Sequence, residues 1–214
     1  SDMPMLTCCA DETVLMGPSC VSLTLTGSRK LLDDNKHEKP NCCDCVAGHP
    51  RHRPVLGRII FDGCSDVRVV GVDFVGSCEL INGASVEFSE CLFSNQTESQ
   101  QITFTDSEVV DVSALRTLGG SSLKIIRCEI SGSAGCGVHA RGLGTRFHAV
   151  DCKVTGSCDA GLAFHAGCLA RVEGCSIDSS SNGAGVVVDG AGTIVQLNRC
   201  TIGPHNALAG VQVE

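Results

Sequence analysis

Arg141, His165 and Asp189 recur 24 residues apart and carry the side chains best suited to chemistry in this chain. A guanidinium, an imidazole and a carboxylate at a fixed interval support more than one reading. His165 acts as a base oriented by Asp189, the row binds a polar ligand, or the three form a surface ladder of opposite charges that neutralise one another. His139 lies two residues before Arg141, and Asp62 falls at the matching place in an earlier segment. A second donor set is Cys42-x2-Cys45-x3-His49-x2-His52. Two thiolates and two imidazoles are donors for tetrahedral zinc. Three residues between the pairs is far shorter than finger spacing, so the same four either close a very tight metal loop or belong to a Cys- and His-rich polar loop.

The elements that must position these side chains repeat. Segments open at Gly137-Val138-His139-Ala140, Gly161-Leu162-Ala163-Phe164 and Gly185-Val186-Val187-Val188, and Gly210-Val211-Gln212-Val213 starts a fourth; the intervals are 24, 24 and 25 residues. Each segment then passes a glycine (Gly144, Gly167, Gly192), a second apolar strand, and a cysteine with an aliphatic two residues later. A fixed period in the twenties with period-2 apolar alternation marks stacked units that bury a core only against their neighbours. Leucine is not the repeated residue and no Asn recurs, which sets aside the leucine-rich horseshoe. The expected fold is all-β: one right-handed parallel β-helix of about seven to eight rungs, stacked about 4.8 Å apart.

Earlier rungs follow the same offsets. Ile59, Phe61, Cys64, Val67, Val69, Val72 and Phe74 form one, and Leu80, Gly83, Val86, Phe88, Cys91 and Phe93 the next. Thr13 to Leu25 reads as an irregular first rung. The inward cysteine column is Cys91, Cys128, Cys152, Cys175 and Cys200, with Val72 in its place one rung earlier. The recurrent turn glycines, Gly83, Gly120, Gly144, Gly167 and Gly192, mark a bend that needs positive φ or close backbone approach. The outward column of the opening strands is expected to be Asp62, Gly83, Thr105, Arg141, His165 and Asp189. The unit from Ile102 to Ile130 is too long, and its insertion is placed at 105–119. A polar excursion occupies 28–54.

Composition narrows the function classes. With 214 residues, 25 Gly, no Trp, no Tyr and 7 Phe, one domain with a narrow interior of small and branched side chains fits. A net charge of −8 excludes nucleic acid and anionic membranes as main partners, since both require a basic face. The absence of Trp and Tyr counts against sugar stacking. Sixteen cysteines would suit a disulfide scaffold, but a stacked column holds Cβ atoms farther apart than the roughly 3.8 Å a disulfide prefers. Reduced thiols in the cytoplasm are therefore expected, and the N-terminus offers no signal-peptide core. The last segment stops just after its opening strand, so a cap, an end-to-end contact through Val211 and Val213, or a longer natural protein is expected.

The run Gly161-Leu162-Ala163-Phe164-His165-Ala166-Gly167-Cys168-Leu169-Ala170-Arg171-Val172-Glu173-Gly174-Cys175-Ser176-Ile177 resembles rungs of eukaryotic right-handed β-helix domains, those of the Shc-binding spindle-associated protein and the β-helical F-box-only proteins. The resemblance spans about Gly57 to Val213 and implies a protein-binding or substrate-recruiting scaffold, cytoplasmic and cytoskeleton-associated, with no catalytic set to carry over. An F-box-like segment is absent. So are the paired-Asp and Gly-His-Gly motifs of polygalacturonases and a pectate-lyase-like acidic cluster. The expected function is a non-enzymatic scaffold for a protein partner, without cofactor unless zinc occupies the excursion. The alternatives are a carbohydrate-binding or carbohydrate-cleaving helix using the face around Arg141, His165 and Asp189, and an architectural rod that stacks end to end.

Overall fold

The computed structural model describes residues 58–96 and 113–214, together with the backbone of Val14–Met16, Thr24–Thr26 and Val55–Leu56. Short strands with alternating burial wind through three bends per turn and pair only in parallel, giving a β-helix with three sheets. The first sheet runs from Val14–Met16 through Ile59–Asp62, Cys78–Ile81, Leu115–Leu118, Val138–Arg141, Leu162–His165 and Val186–Asp189 to Val211–Val213. The second stacks Thr24–Thr26, Val67–Val70, Ser85–Ser89, Ser122–Ile126, Arg146–Val150, Leu169–Glu173 and Ile194–Asn198. The third stacks Val55–Leu56, Asp73–Phe74, Leu92–Gln96, Glu129–Ser133, Lys153–Thr155, Ser176–Asp178 and Thr201–Ile202.

Register is kept from rung to rung. In the second sheet, Val67, Val86, Leu123, Phe147, Ala170 and Val195 stand in one column, and Val69, Phe88, Ile125, Ala149, Val172 and Leu197 in the other. Both columns point inward, as the offsets from the cysteine require. The bulk alternates along the tube. Phe61, Phe74, Phe88 and Phe93 form one aromatic cluster, with Phe74 and Phe93 stacked at 4.7 Å and Phe88 edge-on to Phe61, Phe74 and Phe93. Farther on, Ala140 and Ala149 make room for Phe147 and Phe164.

The bend between the second and third sheets is a single left-handed residue, occupied by Gly71, Glu90, Arg127, Asp151, Gly174 and Arg199 with φ between 48° and 67°. Left-handed backbone costs a side-chain-bearing residue about 1–2 kcal/mol. It is tolerated because the ladder continues through the bend: the amide of Glu90 donates to Ile126, that of Arg127 to Val150 and that of Asp151 to Glu173. The bend between the first and second sheets uses glycine, and Gly83, Gly120, Gly144, Gly167 and Gly192 all have φ near 80°.

Three expectations are corrected. Leu115–Leu118, assigned to the insertion at 105–119, is the opening strand of its own rung, paired with Cys78–Ile81 and Val138–Arg141. The extra residues of that turn therefore precede it, between Gln96 and Leu115, and 97–112 lie outside the described residues. Second, the outward column takes Ile81 and Leu118 where Gly83 and Thr105 were expected. Gly83 sits in the bend, and Thr105 is not among the described residues. Third, Cys200 is only half-buried, because the inner residues of the last rung have no further strand of the second and third sheets over them. The excursion at 28–54, with Cys42, Cys45, His49 and His52, lies outside the described residues.

Candidate functional site

Alternation in Val138–Arg141 buries Val138 and Ala140 and turns His139 and Arg141 outward. In the next two rungs it buries Phe164 and Val186 and turns His165 and Asp189 to the same face. Parallel pairing then aligns Arg141 with His165 and His165 with Asp189. His165 Nδ1 lies 3.3 Å from Asp189 Oδ2, and their side chains are 26% and 46% exposed. The His139 ring stands edge-on to that of His165, with centroids 5.0 Å apart. The three-residue row and His139 are thus one cluster.

The neighbouring outward column extends it. Glu79, Arg116 and His139 are in register, and Glu79 holds Arg58 and Arg116, one on each carboxylate oxygen, at 3.2 Å. Sequence reasoning missed Glu79 and Arg116 because the rung containing Arg116 was assigned to the insertion. Asp62, at the far end of the first column, accepts a hydrogen bond from Asn82 Nδ2 at 2.8 Å. Ile81, Leu118, Arg141 and His165 separate it from Asp189. Two carboxyl groups working across a glycosidic bond stand about 5–9.5 Å apart, so these two do not form such a pair.

On the other sheets, charges of opposite sign meet across rungs. Lys124 pairs with Glu87, Arg127 with Glu90, and Lys153 with Glu129. Arg171 and Glu173, two residues apart on one strand, also form an ion pair. Past the third sheet, Asp178 receives His205 Nδ1 at 2.9 Å and the amides of Ser179 and His205. The His205 imidazole, aided by those amides, holds the Asp178 carboxyl below its usual range.

The cysteine column is continuous through the bend. Cys91, Cys128, Cys152 and Cys175 are buried, and each thiol, like that of Cys200, donates to the carbonyl two residues before it at 3.2–3.5 Å. The Cys152 amide also donates to Cys175 Sγ at 3.3 Å, one rung on. The neighbouring thiols of Cys128 and Cys175 hold the Cys152 thiol below its ordinary value, while Cys152 and burial push those two up. Among the described residues, no three His, Cys, Asp or Glu side chains converge to hold a metal ion.

A three-sheet parallel solenoid with a stacked inner column defines the β-helix class. Residues 57–214 match the family model described as the right-handed beta helix region, and the chain belongs to that family. Neither the curated proteins nor the solved structures contain a match to this chain.

Proposed function

We propose that this chain is a non-enzymatic scaffold that binds a partner protein on the outward face of the first sheet, centred on Arg141, His165 and Asp189. One observation carries the reading: the three side chains lie in register on one face with His139 in the adjoining column, continuous with the Arg58–Glu79–Arg116 ion pairs and beside half-buried Ile60, Ile81 and Leu118. Arginine beside aliphatic surface, with charges of both signs, is the composition of a protein interface. The rung sequences' similarity to the Shc-binding and F-box-only β-helices supports the same reading, as well as action in the cytoplasm near the cytoskeleton. Six rungs of four-residue strands span about 24 by 13 Å, roughly 300 Å². That is under half of the about 800 Å² each partner contributes to a standard interface, so the partner extends over a flanking bend.

The test is affinity capture with the wild type and with the combined Arg141→Glu, His165→Ala, Asp189→Lys variant, after circular dichroism shows equal melting. A protein retained by the wild type and lost by the variant supports the reading and locates the face. Equal retention by both forms counts against this face. A thermal shift with an oligosaccharide, abolished in the variant, would replace the scaffold with a carbohydrate-binding module.

A further inference from the structure

We infer that the cysteine column is a binding site for monovalent soft metal ions of the copper(I) and silver(I) class, each held in line between thiolates of neighbouring rungs. The first pair is Cys91 with Cys128, and the second is Cys152 with Cys175. The column is in register, since the residues next to these cysteines pair directly from rung to rung. The rung spacing of about 4.8 Å is wider than the roughly 3.8 Å between Cβ atoms that a disulfide prefers. A sulfur–metal–sulfur unit is longer by one atom. With metal–thiolate bonds of about 2.3 Å, as for zinc, its two sulfurs stand about 4.6 Å apart, close to the spacing the fold imposes.

The donor geometry also selects the ion. Thiolates favour soft ions, and the absence of any three converging donors among the described residues disfavours tetrahedral zinc here. A way in exists. A surface hollow over the bend is lined by Cys91 and Cys128, with Arg127 and Lys153 at its rim paired to Glu90 and Glu129. Binding balances as two thiols and one monovalent cation giving a dithiolate complex of charge minus one and two released protons. No oxidant is involved.

The test uses the 214-residue chain with the six cysteines before residue 46, and Cys136 and Cys158, changed to serine, kept reduced and free of oxygen. Silver(I) or copper(I) is titrated against a chromophoric competing chelator. The expected result is two ions retained per chain, two protons released per ion, a raised melting temperature, and two sulfur neighbours per metal by X-ray absorption. Changing Cys91, Cys128, Cys152 and Cys175 to valine, the residue the column already accepts at Val72, should remove both ions. Retention by the valine variant, three or more sulfur neighbours, or no ion held by the serine background would each overturn the assignment. Should the valine variant not fold, the sulfur count and proton release of the serine background decide alone.

Discussion

His165 Nδ1 and Asp189 Oδ2 face each other at 3.3 Å across a single rung, on side chains 24 residues apart in the chain. The pair is partly exposed, so its coupling should be that of a surface pair. A double-mutant cycle of His165→Ala and Asp189→Ala is expected to give about 0.2–1 kcal/mol, weakening with added salt. Urea unfolding at low and high ionic strength reads it. A coupling of several kcal/mol, insensitive to salt, would mean that the pair is far less hydrated than its exposure indicates.

Glu79 should matter more than any other carboxylate in the rung-to-rung ion pairs. Its side chain is 14% exposed and serves two guanidinium groups, whereas Glu129, at 46%, serves Lys153 alone. Glu79→Gln is expected to cost about 1–2 kcal/mol, near the lower end for hydrogen bonds to charged groups because the arginines stay partly hydrated. Glu129→Gln should cost under about 0.5 kcal/mol. Thermal melts of the two variants check the ranking.

Glycines at two kinds of position should fail for different reasons. A Cβ on Gly161 would lie 2.7 Å from the Gly185 carbonyl oxygen and 2.5 Å from Ile177 Cγ2. The carbonyl belongs to the next rung's ladder and cannot withdraw, so Gly161→Ala is expected to lose about 1–3 kcal/mol, as for overpacking. A Cβ on Gly83 meets nothing within 4 Å, but φ there is +78°. Gly83→Ala should lose only the left-handed penalty of about 1–2 kcal/mol. Gly83→Asn, which tolerates that conformation, should recover part of it, whereas Gly161→Asn should be worse than alanine; urea midpoints separate the two cases.

Acid should weaken the contact between Asp178 and His205. The carboxyl is held below its usual range by the imidazole and by two amides. A depressed carboxyl contributes stability that is present above the unfolded value, about 3.9, and is lost as pH falls through the lower folded value. The melting-temperature gap between wild type and Asp178→Asn should therefore be full at about pH 5 and close below it. Titration of the Asp178 carboxyl carbon by NMR in His205→Ala should show its pKa moving back up.

Much of this architecture is readable from residue spacing alone. The inward columns through Val69, Phe88, Ile125, Ala149 and Val172 follow from period-2 alternation counted back from the cysteine, and the bend at Gly144 and Gly167 from a glycine at constant offset. The rung opened by Leu115 resisted the same reading. Its inward position is Thr117, a buried hydroxyl where neighbouring rungs have Leu80 and Ala140. With an apolar signal missing there and extra residues before it, the count from Cys91 to Cys128 lost its phase. The Arg58–Glu79–Arg116 group vanished with it, because ion pairs across rungs are visible only once the register is known. The row of Arg141, His165 and Asp189 was legible because three consecutive rungs of nearly equal length bring it together.

The bend after the third strand absorbs the whole difference in length between the turn from Cys78 to Leu115 and the turn from Leu115 to Val138, while the strands on both sides keep their partners. The coil therefore works like a vernier whose scale is fixed and whose slack sits mostly in one corner. A peptide tag or a recognition loop grafted at that corner would be displayed on a rigid stem at a height chosen in steps of one rung, leaving the hydrogen-bond ladder undisturbed.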